Sequence, residues 1–90
     1  MRTYELVVVL KPVEEKARKK AIETVKSWFG DLKVLSEKEW GSKALKFEIK
    51  KELTGFYFDF ELEGTRLPAD LERKLMLNDD VLRHLVVRKK

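Results

Sequence analysis

Ninety residues carry 20 Lys and Arg against 16 Asp and Glu, a net charge of +4, with 43% of the chain apolar and 40% charged. That is the composition of one small soluble domain with a charged surface, too apolar to remain disordered and basic enough to favour an anionic partner. The chain has no cysteine and no apolar run near the roughly 20 residues that cross a bilayer; this excludes disulfides, thiolate catalysis and cysteine-bound metals, and suits a reducing compartment such as the cytoplasm.

Residues 3–10, "TYELVVVL", are β-branched and aromatic-rich, stop at Lys11-Pro12 and read as a strand. The charges at Arg2 and Glu5 and the lack of a small-residue cleavage site argue against a signal peptide. Apolar residues on both sides of this strand predict a neighbour on each of its edges. From Val13 to Phe29, Ala17, Ala21, Val25 and Trp28/Phe29 recur on one helical face, with Pro12 and Glu14–Glu15 at the start and Gly30 as the cap. The basic run Lys16, Arg18, Lys19, Lys20 lies opposite that face and reads as solvated.

Next, Leu45, Phe47 and Ile49 alternate with Lys46, Glu48 and Lys50, predicting a half-buried strand to which 32–40 forms an extended lead-in. Lys51–Gly55 has the length of a hairpin turn, and 56–62 is the following strand. Pro68 opens a second helix, 68–77, with Leu71 and Leu75 on one face and Asp70 in its first turn. Asn78-Asp79-Asp80 ends it, and "VLRHLVVRKK" is the last strand. The predicted fold is α+β: a single ferredoxin-like βαββαβ domain over 1–90, with a four-stranded antiparallel sheet and both helices on one face.

RNA-recognition domains share that fold and stack bases on rings spaced as in "GFYFDFEL", where Gly55, Phe56 and Phe58 match. Strand alternation, however, puts Phe56, Phe58, Phe60 and Leu62 on one side and Tyr57, Asp59 and Glu61 on the other. Rings facing RNA would bury Asp59 and Glu61, and an unpaired buried carboxylate costs several kcal/mol while each buried Phe gains about 1.5–3. The phenylalanines therefore point into the core, leaving an open polar face.

No sequence feature supports catalysis. Acylphosphatases share the topology but cradle phosphate in a glycine-rich first loop, and "KPVEEK" has no glycine and two acidic residues. His84, the only histidine, lacks the spaced partners of a metal or acid–base site, and no cofactor is called for.

"MRTYEL", "WGSKALKFEIKK", "GFYFDFEL" and the closing "LNDDVLRHLVVRKK" together resemble the bacterial small-subunit ribosomal protein six family, in order and over essentially the whole chain. The resemblance implies the ferredoxin-like fold, no enzymatic activity, and binding to the central domain of 16S ribosomal RNA together with small-subunit protein eighteen. No membrane and no small-molecule substrate are implied. Positions matching the family suggest RNA contacts at Arg2, Tyr4, Arg83 and Arg88 and a partner contact at Trp40; the lysines recurring around the second strand add expected RNA contacts at Lys43 and Lys46, and the open polar face offers Lys50 and Tyr57 to the partner. The chain departs from the family pattern at Ala44, where a basic residue is expected, and at Lys46, Phe47 and Glu48. Those departures leave a second reading open, a redesigned or idealised scaffold that keeps the fold without the binding.

Overall fold

A computed structural model describes residues 2–89. In chain order the elements are β1 (Arg2–Leu10), α1 (Glu15–Ser27), β2 (Lys33–Ile49), β3 (Glu52–Gly64), α2 (Leu71–Leu77) and β4 (Val81–Lys89). The strands form one antiparallel sheet ordered β2-β3-β1-β4, so the expected ferredoxin-like fold is present and β1 has a neighbour on each edge. Apolar side chains on both faces of β1 explain its central place: Leu6, Val8 and Leu10 are buried on one side and Val9 on the other.

Register settles the direction of the phenylalanine stripe. Leu10, Val8, Leu6 and Tyr4 pair with Phe56, Phe58, Phe60 and Leu62 in turn. These share a face with Ile22 and Val25 of α1 and Leu71 and Leu75 of α2 in one hydrophobic cluster. Phe60 is fully buried, and Phe29, just beyond α1, meets it edge-on with ring centroids 5.3 Å apart. Such an edge-to-face pair adds about 0.5–1.5 kcal/mol to the gain from burial. The stripe is the protein's core, as its alternation with Asp59 and Glu61 requires.

Several boundaries differ from the sequence-based expectation. Helix α1 starts at Glu15: the Lys11 amide bonds to the Asp80 carbonyl (2.9 Å), the chain bends at Pro12, and Glu14 is extended rather than helical. Helix α2 likewise begins at Leu71, three residues after Pro68. Strand β2 is continuous over 17 residues, so 32–40 is mostly strand itself rather than a lead-in.

The predicted half-burial of 45–49 fails at Phe47, which is 77% exposed, and Leu53 across the hairpin is 68% exposed. β1 ends at Leu10 opposite Phe56, so beyond that rung the hairpin has no third strand beneath it. The turn is also shorter than Lys51–Gly55. Ile49 pairs with Glu52, leaving Lys50 and Lys51 to close it with φ of 50° and 66°. Both lie in the left-handed region of a type I′ turn, where Asn and Gly are the usual occupants.

Gly55 therefore sits inside β3. A Cβ there would stand 2.5 Å from Val9 Cγ1 and 3.3 Å from the Leu10 carbonyl oxygen. The glycine that looked like part of an RNA motif is required by the packing of β3 on β1.

Candidate functional site

The residues singled out by sequence fall into three groups, which strand parity separates. The first lies at the end of the sheet where β1 begins. Arg2 pairs with Gly64, Tyr4 with Leu62 and Arg88, and all three side chains belong to the helix-bearing side of the sheet. Arg2 and Arg88 are exposed, whereas Tyr4 is only 5% exposed and its ring packs in the core cluster. The Tyr4 ring is therefore part of the core rather than of the exposed surface.

Two cations that sequence reasoning passed over adjoin this end. Lys33 and Arg66 line a groove of about 550 Å³ between the ends of α1 and β3, with Phe29, Leu32, Gly64 and Pro68. Arg66, in the loop "GTRLP" before a helix, carried a readable signal: an exposed basic residue in a loop bordered by Gly and Pro. Arg2, Lys33, Arg66 and Arg88 make this end of the molecule cationic, although Asp31 and Glu63 share the groove.

The second group lies on the opposite, open face. Arg83, Val9, Tyr57 and Gly41 form one rung across all four strands. Trp40 follows Lys38 onto this face, where its ring lies 8° from parallel with Tyr57 at 6.4 Å between centroids, and a bulge between Glu39 and Gly41 brings Gly41 and Lys43 onto the same side. Lys43 Nζ stands 5.2 Å from the Trp40 ring centre. Two residues predicted for RNA, Lys43 and Arg83, and two predicted for a protein partner, Trp40 and Tyr57, thus share one region of this face, half-exposed at Trp40.

Next to that patch the open face turns acidic. Glu5 pairs directly with Glu61, and Asp59 sits one rung away opposite Val7 and Lys38. Burial pushes the Asp59 carboxyl above the ordinary carboxylate range, helped by a hydrogen bond with Glu5 and by that group's charge, against the pull of Lys38 and Lys89. Lys89 is raised in turn, first by its hydrogen bond to Glu61 Oε2 (3.3 Å) and then by that carboxylate's charge.

The third group is at the hairpin. Lys46 is exposed in the overhang. Lys50 is drawn back instead, its ammonium donating to the Val81 carbonyl at 3.0 Å, which ties the turn to the start of β4.

Arg18 departs from the solvated face assigned to its run. Its guanidinium donates to the Val13 carbonyl (3.2 Å), pairs with Glu39 (3.5 Å) and covers the Phe56 ring; the side chain is 15% exposed. His84 faces the helices, with Nε2 3.4 Å from Glu72. Among the described residues no cluster of His, Cys, Asp or Glu could hold a metal ion, and no helix is long and apolar enough to cross a membrane.

Comparison with known proteins places this architecture. Residues 3–88 match the family described as Ribosomal protein S6. The protein named small ribosomal subunit protein bS6 of Moorella thermoacetica is 36% identical, over 98% of this chain and 94% of its own. Its namesake in Heliobacterium modesticaldum is 38% identical, over 99% and 97%. The crystal structure of 30S ribosomal protein S6 from Thermotoga maritima superimposes with a TM-score of 0.87 at 24% identity, over 98% of this chain and 87% of that one.

Proposed function

Because the chain belongs to the ribosomal protein S6 family, whose members are structural rather than enzymatic, we propose that it is a constituent of the small ribosomal subunit that binds the central domain of 16S ribosomal RNA together with small-subunit protein eighteen. In this reading it works in the cytoplasm, as a single domain and without a cofactor.

The observation that carries the division of labour is the separation of the two candidate surfaces. Arg2 and Arg88, with Arg66 and Lys33 nearby, belong to the helix-bearing side and one end of the sheet, while Trp40 and Tyr57 lie on the opposite face. RNA phosphates are assigned to the cationic end, where guanidinium groups bond phosphate oxygens in pairs. The partner protein is assigned to the aromatic patch, where a ring can anchor an interface. The two can then be bound at once. Lys43 and Arg83, on the open face, and Lys46, at the hairpin, lie away from the cationic end; RNA contact there requires the RNA to pass the edge of the sheet.

The test is a titration with a central-domain RNA fragment, with and without protein eighteen, at two salt concentrations. Tight binding that needs the partner, weakens with salt and is lost in part on Arg2→Ala or Arg88→Ala is the expected result. No binding from the folded chain under either condition would overturn the proposal and leave the fold without the function.

A further inference from the structure

We propose that the ion pairs Arg18–Glu39 and Lys26–Glu37 form an electrostatic strap that closes the edge strand β2 onto α1, and that ionic strength works it. Rising salt opens the cleft between strand and helix while the rest of the fold stays intact. The strap is a property of the fold and does not depend on the RNA or partner assignments.

β2 is attached to the domain unlike any other element. Every other strand and both helices contribute buried apolar side chains, whereas none of the 17 residues of β2 is buried. Register shows why. On the helix-bearing side Glu37 pairs with Phe60 and Glu39 with Phe58, so the rungs that carry core rings on β3 carry carboxylates on β2. Apolar side chains at these places would extend the core to the edge of the sheet.

α1 meets the carboxylates with cations. Arg18 Nε lies 3.5 Å from Glu39, and Lys26 Nζ is in direct contact with Glu37. The cations are eight residues apart, about 12 Å along the helix, and meet the strand in antiparallel order. Beneath them lies a cleft of about 310 Å³ floored by Ile22 and Phe58, both nearly inaccessible to water. Among the ion pairs of the described residues, only these two join α1 to another element.

The pairs also have somewhere to go when they part. Lys26 stands 3.8 Å from Glu23 on its own helix, so on release from Glu37 it keeps a partner. Opening therefore returns carboxylates to water without stranding a charge.

An ionic joint responds to conditions differently from an apolar one. Screening shortens the reach of a charge from about 30 Å at 0.01 M salt to about 3 Å at 1 M, while apolar packing is not screened. Lys26 and Glu37 are 32% and 36% exposed and Glu39 is 46% exposed, so mobile ions reach both pairs. With the pairs screened, β2 is left with its hydrogen bonds to β3, and a segment held by so few contacts opens ahead of the core.

Amide hydrogen exchange of the full chain, followed by NMR at about 0.01 M and about 1 M sodium chloride, tests the strap. A Glu37→Gln/Glu39→Gln variant, verified as folded by a thermal melt, is measured alongside. In the parent, amides bonded between β2 and β3 from Val34 to Gly41 are expected to exchange roughly fivefold faster or more in high salt, with no acceleration in β1 or β4. The variant should exchange in low salt as the parent does in high salt, and show no salt dependence of its own. If the double variant does not fold, Lys26→Gln is read the same way at the Glu37 end. Exchange in β2 that is indifferent to salt overturns the strap, as does an acceleration shared by all four strands. An acceleration that persists undiminished in the folded variant overturns it too, because the carboxylates are then not what salt acts on.

Discussion

The guanidinium of Arg18 lies 3.8 Å from the centre of the Phe56 ring, on the first turn of α1 and the inward side of β3. With its bonds to the Val13 carbonyl and Glu39, this one side chain joins the entry to α1, the edge strand β2 and the outermost ring of the core stripe. It closes the core where Phe56 would otherwise meet water.

Arg18→Ala removes a cation–π contact and a charge-assisted hydrogen bond together, and is expected to lower stability by about 1–2 kcal/mol. Arg18→Lys should recover less than half of that loss, because an ammonium can neither lie flat on the ring nor fork between two acceptors. Urea denaturation of both variants checks this. Full recovery by lysine would mean that only the charge mattered.

Gly55→Ala places a methyl group 2.5 Å from Val9 Cγ1, on a buried rung bordered by backbone. The expected cost is about 1–3 kcal/mol from overpacking. A double variant Gly55→Ala/Val9→Ala should restore part of it, and thermal unfolding of the pair distinguishes a clash at Val9 from a general strand effect.

Asp59 has a higher pKa folded than unfolded, so the folded state binds more protons than the unfolded chain between the two values. Stability from this group is therefore intact in acid and falls as pH rises from about 4 through the folded pKa. Asp59→Asn should be slightly more stable than the parent at pH 7, by less than about 1 kcal/mol because solvent screens the group, and show no advantage near pH 3. Guanidinium melts at the two pH values test the sign. An asparagine variant weaker than the parent at pH 7 would show that the attraction of Lys38 and Lys89 outweighs burial.

Lys51 closes the hairpin at φ 66°, where a side chain costs about 1–2 kcal/mol and glycine costs little beyond its entropy. Lys51→Gly should gain about 0.5–1 kcal/mol. Lys50 is the poorer target, since its ammonium holds the Val81 carbonyl. A Lys51→Gly chain that melts below the parent would argue against a strained turn.

The sequence by itself determined the order of the elements, the inward direction of Phe56, Phe58, Phe60 and Leu62, and the family. These follow from local rules: side chains alternate along a strand and recur every third or fourth residue on a helix, so the costs of burying Asp59 and Glu61 can be weighed without knowing the neighbours. Tertiary structure alone decided what lies against each face. Phe47 alternates like a core residue but is exposed because β1 stops at Leu10. Arg18 reads as a surface cation but is enclosed because Phe56 and Glu39 come to it from strands at least 20 residues away. Trp40 and Lys43, three residues apart, share the open face because a bulge shifts the pairing of β2 by one residue. The same bulge helps to divide the candidate binding residues between two sides of the sheet, a division set by register and invisible to periodicity, because register depends on which strand pairs with which.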